Sequence, residues 1–197
     1  EMEVLGEDHL FEVALTNEVP GSIHDVIAEH REELDPHQAS CAIFYSISNC
    51  QKGLRGIPFG NYLIKRVVRL LQDELPQLKT FATLSPLPGF AKWLAVATDL
   101  DDGGLTDAVL RPLAAQYLVE AKHKSGLPLD SVARFHLGNG ARLEAIHSGA
   151  DLSSNGLAQS HGVMVNYVYD LAEIEANHFA LNELGTVATS KAVALLA

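Results

Sequence analysis

The sequence predicts an α+β fold, a mixed twisted sheet flanked by helices. Three observations lead there. A strand, a glycine-rich loop, a long helix and a second strand follow one another between residues 41 and 84. Such a βαβ crossover makes its two strands parallel neighbours. The stretch His9–Thr16, HLFEVALT, alternates β-formers and marks a strand before that unit. Short β-prone runs follow it at 131–136, 142–147 and 162–169.

Residues 17–21, NEVPG, are turn formers after the first strand. Ser22 to Asp25 has the form of a capping box with Asp in place of Glu, so a short helix runs to about residue 30. Residues 31–38 are charged, contain Pro36 and read as a loop. Residues 41–47 form the clearest strand. Residues 57–75 form the clearest helix: Phe59, Leu63, Ile64, Val67, Val68, Leu71 and Leu75 recur at three- and four-residue steps. Lys65, Arg66, Arg69, Gln72 and Asp73 lie opposite. Pro58 suits the first turn, where a missing N–H costs nothing, and Pro76 ends the helix.

Residues 78–84 are the next strand, which Ser85-Pro-Leu-Pro-Gly89 breaks at its C-terminal end. Ligand sites gather at such ends in α/β sheets. Residues 90–97 are helical and 99–104, DLDDGG, a loop. A second helix, 112–122, starts with Pro112 at its first position. Strands at 131–136 and 142–147 flank the turn Leu137-Gly-Asn-Gly140. Residues 151–156 are a polar loop, 162–169 a strand, and the alanine-rich stretch 171–197 is helical. No internal repeat is present.

The chain has 197 residues, 47% of them hydrophobic and 20% charged, which suits one globular domain over residues 1–197. Its net charge of −11 speaks against a basic nucleic-acid face. Yet Lys52, Arg55, Lys65, Arg66 and Arg69 place five of the fourteen basic residues close together. That is either a local anion site or, for the last three, the wet face of a helix. Cys41 and Cys50 form no C-x-x-C, and a reducing compartment fits them. No apolar run reaches the roughly 20 residues that span a bilayer. With no signal-peptide pattern and a final ALLA that is no peroxisomal address, a cytoplasmic protein without membrane or nucleic-acid partners is expected.

Four groups of residues could carry chemistry. Gly53, Gly56 and Gly60 sit between a strand and a helix N-terminus, where free N–H groups and the helix dipole suit a phosphate. The spacing is neither a P-loop nor a dinucleotide fingerprint, and such glycines also serve as plain turn residues. Ser85 stands at a strand end beside two stiffening prolines; taken alone it reads first as a serine starting a turn, and no G-x-S-x-G surrounds it. His136 ends VARFH beside a flexible turn, where it could reach a cleft or be structural. No H-E-x-x-H exists, and His24 and His30 lie six apart, so no metal is expected. Tyr167 and Tyr169 share one face of a strand by alternation. Cys50 is incidental.

Gln51-x-Gly53-x-x-Gly56 resembles, loosely, the Q/R-x-x-G-x-G/A loop of the GNAT acyltransferases. Together the runs AIFYSISNCQKGLRGIPFGNYLIKRVV, TLSPLPGF-x-KWL, VARFHLGNGA and GLAQSHGVMVNY-x-Y resemble the malonyl-CoA decarboxylase family, in order, from about residue 11 to 169. The resemblance implies a GNAT-like sheet and removal of CO2 from malonyl-CoA to give acetyl-CoA, with no metal or organic cofactor. It makes Ser85 and His136 the active-site serine and histidine and Tyr169 an active-site tyrosine. It puts the CoA contacts on Arg55, Gly56, Ile57, Pro58, Phe59, Gly60 and Asn61. Pro58 replaces a residue that is often acidic in the family, so no side-chain role attaches to it. The family carries a helical domain before the catalytic one, not found among these residues, through which a homo-oligomer is expected. The segment 97–112 is shorter than usual.

The implied reaction leaves an enolate of acetyl-CoA. His136 is expected to protonate it, because an ordinary histidine pKa lies near working pH. Ser85 is expected to orient the carboxylate or to bond His136, with Asn139 and Tyr169 as further polar contacts. Three other readings share some of these residues. A GNAT acetyltransferase would pass acetyl to an amine, a thioesterase would use Ser85 and His136 as nucleophile and base, and a binding module would leave malonyl-CoA intact.

Overall fold

The structure, a computed structural model, describes residues 2–6, 9–27, 34–49, 60–98 and 104–197. Strands β1 (Met2–Gly6), β2 (His9–Thr16), β3 (Cys41–Asn49), β4 (Thr80–Thr83), β5 (Ser85–Pro86), β6 (Arg142–His147) and β7 (Met164–Val168) make one mixed sheet. The order is β1-β2-β3-β4-β7-β5, with β6 on the other edge of β7. Only β3 and β4 are parallel among these pairs, with Cys41 opposite Thr80 and Phe44 opposite Thr83. This is the parallel pair that the βαβ succession predicts. Its crossover is α2 (Gly60–Glu74).

Helices cover both faces of the sheet because both are apolar. On β3, Ala42 and Phe44 face one core and Cys41 and Ile43 the other, the period-2 alternation of a strand buried on both sides. The larger core joins Ile64, Val67, Val68 and Leu71 of α2 to α3 (Phe90–Ala97), α4 (Asp107–Val119), α5 (Ser131–Gly138) and α7 (Ile174–Leu184). The smaller core holds Ala82, Leu84 and Met164 with Val26 of α1 (Ile23–Ile27). A bulge interrupts β2 and β3: Val13 pairs Phe44 while Glu12 pairs Ser46. Bulges bend a strand, and this one falls where β3 ends its pairing with β4.

Four expectations are corrected. Residues 131–136 are not a strand but most of α5, whose start is fixed by Asp130: its Oδ1 accepts from the N–H groups of Val132 and Ala133. Pro112 is not the first residue of its helix. α4 begins five residues earlier at Asp107, and Pro112 sits inside it. The polar stretch 151–156 runs into a short helix, α6 (Ser154–Ser160), capped by the Ser153 hydroxyl on the Gly156 N–H. The tail is two helices, α7 and α8 (Lys191–Ala194), parted at Gly185, which adopts φ +66° at the end of α7. A three-residue helical turn at Pro36–Gln38, capped by Asp35, and the strand β1 have no counterpart in the expectations. The glycine loop with Gln51, Gly53, Arg55, Gly56, Ile57, Pro58 and Phe59 lies outside the described residues.

Candidate active site

Ser85, His136 and Tyr169 come together from three elements. Ser85 opens β5, His136 sits in the last turn of α5, and Tyr169 follows β7. All are buried, at 4%, 4% and 2% exposure. Ser85 Oγ lies 3.2 Å from His136 Nε2, and Tyr169 Oη lies 2.7 Å from Nδ1. Sheet geometry explains the convergence. Thr83 and Ser85 are two apart and point the same way, as do Tyr167 on β7 and Tyr169 just past its end, and α5 lies over that face. Tyr167 stacks on the imidazole with ring centres 4.7 Å apart and planes 22° apart. The one-face reading of the two tyrosines therefore holds, with Tyr167 as wall and Tyr169 as hydrogen-bond partner.

The hydrogen-bond directions form a chain. The Ser85 hydroxyl donates to Thr83 Oγ1 at 2.9 Å. Having one proton, it can only accept from His136, which puts the imidazole proton on Nε2. Nδ1 then accepts from the Tyr169 hydroxyl. Burial raises the Tyr169 pKa well above its ordinary value, so the phenol keeps the proton it donates. Burial also pushes the His136 pKa down to about 3. This corrects the expectation of a histidine titrating near neutrality: desolvation penalises the imidazolium, and the ring is neutral at physiological pH. A neutral ring that donates from Nε2 cannot also take the serine proton, so Ser85 is not held as an activated nucleophile.

Thr83, which sequence reasoning missed, anchors this chain. Its Oγ1 also accepts from the Tyr167 N–H at 3.3 Å, and its carbonyl accepts from Asn166 Nδ2 at 2.9 Å. Strand alternation from Ser85 was the signal that could have found it. Asn139 is buried at the C-terminal end of α5. Its Nδ2 and the Tyr167 hydroxyl lack a hydrogen-bond partner among the described residues. The turn after α5 is fixed by Gly140, at φ +82°, where a Cβ would lie 2.3 Å from the Ile174 carbonyl oxygen. Behind the site, Tyr169 borders a cleft of about 460 Å³ with Gln72, Lys79, Phe81, Arg142 and Asp170.

The predicted anion neighbourhood is only partly within view. Gly60 and Asn61 open α2. Lys65 is ion-paired with Glu175 of α7, while Arg66 and Arg69 are exposed on the outer face of α2, the wet-face reading for those two. No helix among the described residues is long and apolar enough to cross a membrane.

With this geometry in place, the family comparison is decisive. The family model for the malonyl-CoA decarboxylase C-terminal domain matches residues 5–107 and 100–196. The chain belongs to the malonyl-CoA decarboxylase family. It is 36% identical to the mitochondrial malonyl-CoA decarboxylase of Anser anser anser, over 90% of this chain and 44% of that protein. It superposes on the malonyl-CoA decarboxylase of Rhodopseudomonas palustris with a TM-score of 0.89 and 46% identity, over 96% of this chain and 49% of that one. The chain thus spans about half the length of the malonyl-CoA decarboxylases it matches. A GNAT-like decarboxylase, GphF, solved with isobutyryl-CoA, superposes with a TM-score of 0.57 at 19% identity, over 86% of this chain and 76% of that one. That likeness marks the fold as GNAT-like.

Proposed function

We propose that this chain decarboxylates malonyl-CoA to acetyl-CoA and CO2. The observation that carries the reading is the buried chain Tyr169–His136–Ser85–Thr83 in a member of this family. In the proposed reaction the bond between the α-carbon and the carboxylate breaks and CO2 leaves. The electron pair stays on the α-carbon as a thioester enolate. The Ser85 hydroxyl turns from Thr83 to the substrate carboxylate and orients it for departure. The Nε2–H of His136 first donates to the thioester oxygen, then gives its proton to the α-carbon. Tyr169, donating to Nδ1, stabilises the ring while Nε2 is bare, and solvent returns the proton. A neutral imidazole as donor has precedent in isomerase chemistry. Donors held in place for a developing oxyanion contribute about 3 kcal/mol each.

Coenzyme A is proposed to lie along Arg55, Gly56, Ile57, Pro58, Phe59, Gly60 and Asn61, with its diphosphate at the N-terminus of α2, where first-turn N–H groups have no helical partner. The working location is read as the cytoplasm, a reducing compartment that suits the free thiol of Cys41. The working assembly is read as a homo-oligomer through the helical domain expected for the family, which light scattering of a chain that carries such a domain, beside this one, would test.

Kinetics on malonyl-CoA test the assignment. His136→Ala should lower turnover by about 10²-fold or more, the usual scale for a proton donor. Ser85→Ala should lower kcat more than it raises KM. Turnover of His136→Ala within a few-fold of the parent would remove His136 as donor. Free CoA as product would make the protein a thioesterase, and acetylated amines from acetyl-CoA would make it an acetyltransferase.

A further inference from the structure

One buried carboxylate holds both halves of the Ser85–His136 pair. Asp130 is 1% exposed. Its Oδ1 accepts from the N–H groups of Val132 and Ala133 at 2.9 and 3.0 Å and so starts α5. His136 lies six residues on, less than two turns along the same rigid helix. The other oxygen, Oδ2, accepts from Tyr117 Oη of α4 at 3.1 Å and from the Gly89 N–H at 3.4 Å. Gly89 closes the Pro-rich turn that begins at Ser85 and leads into α3. The fit there is tight: a Cβ at Gly89 would lie 2.4 Å from Tyr117 Oη. Burial, then the nearby Asp130 charge, raises the Tyr117 pKa well above its ordinary value, so the phenol remains a donor.

A serine or asparagine suffices to cap a helix. Burying a carboxylate is costly unless several donors meet it, and here four donors from three segments do. We propose that Asp130, braced by Tyr117, is a positioning residue: it sets the separation of Ser85 Oγ and His136 Nε2 without touching substrate. The inference rests on the reading of that pair as the reacting groups. Misplacing reacting groups by about 1 Å can cost on the order of 10²-fold in rate.

Three variants separate this from simple capping. Asp130→Asn keeps the shape and the Oδ1 cap but turns Oδ2 into a donor facing the Gly89 N–H. Asp130→Ser keeps a cap and loses the second arm. Tyr117→Phe leaves the carboxylate and removes one donor. Each is read in two ways: kcat and KM on malonyl-CoA, and the 15N signals of the His136 ring. Expected are folded variants with kcat down about tenfold or more in both Asp130 variants, less in Tyr117→Phe, and KM within about twofold. The ring signals should move from a fixed Nε2–H form toward tautomer averaging. Ring signals like the parent's with kcat within about twofold would overturn the proposal, as would a rise in KM alone. If the parent itself leaves malonyl-CoA unchanged, the reading of the function fails separately, and the ring signals alone decide the positioning role: altered in Asp130→Asn supports it, unaltered overturns it.

Discussion

At His136 the environment sets the chemistry. Burial favours the neutral ring and pushes the pKa down to about 3. The sign follows: between pH 5 and 8 the free protein holds one protonation state of this residue, so kcat/KM should show no inflection from it there. A histidine of ordinary pKa would place a bend near 6.5. A reaction needing the imidazolium would make kcat/KM fall about tenfold per pH unit across the range. Beside it, Tyr167 contributes stacking with a hydroxyl left unpartnered in the interior among the described residues. Tyr167→Phe keeps the stack and removes a polar atom that costs about 1–3 kcal/mol to bury unmet. Urea unfolding of that variant should show unchanged or higher stability, with turnover near the parent's. A large loss of turnover would give the hydroxyl a substrate contact instead. Ser85, His136 and Tyr169 were legible in the sequence because they stand in runs whose order matches one family. Tyr117 and Asp130 were not, because their meaning lies in partners 13 and 41 positions away that only the fold brings close; Thr83, two residues before Ser85, was within reach of strand alternation.

At the scale of elements, α5 shows how local preference loses to context. VARFH is rich in β-prone residues and reads as a strand by composition. Asp130 caps its first N–H groups, and Ala133, His136 and Leu137 form a buried face at three- and four-residue steps. Packing of that face against the sheet decides the helix. Pro112 misled in the same way. Its lost N–H is tolerated inside α4, where prolines are normally costly, because the helix it interrupts buries Leu110, Ala114, Ala115 and Leu118. The turn after α5 was legible in Gly140, but Leu137 and Gly138, read as part of that turn, belong to the helix. Gly140→Ala should be strongly destabilising, by about 1–3 kcal/mol for the positive φ alone and more for the Ile174 carbonyl. A urea midpoint equal to the parent's would show that the turn can rearrange.

At the scale of the molecule, the parallel pair β3–β4 was legible from the strand–helix–strand succession, since a helical crossover returns the chain to the same end of the sheet. The seating of β7 between β4 and β5 on one edge and β6 on the other was not. It depends on pairings such as Ala82 with Val168, which no local pattern encodes. That seating delivers Tyr167 and Tyr169 to His136 and makes the site a property of the whole sheet. In the proposed reaction this buried pair removes CO2 and returns a solvent proton to carbon. Mass spectrometry of malonyl-CoA after incubation with the chain in D2O, with His136→Ala alongside, checks both steps at once. Acetyl-CoA carrying a single deuteron from the parent, and about 10²-fold less from the variant, is the predicted result. Free CoA, unchanged malonyl-CoA, or equal yield from the variant would contradict it.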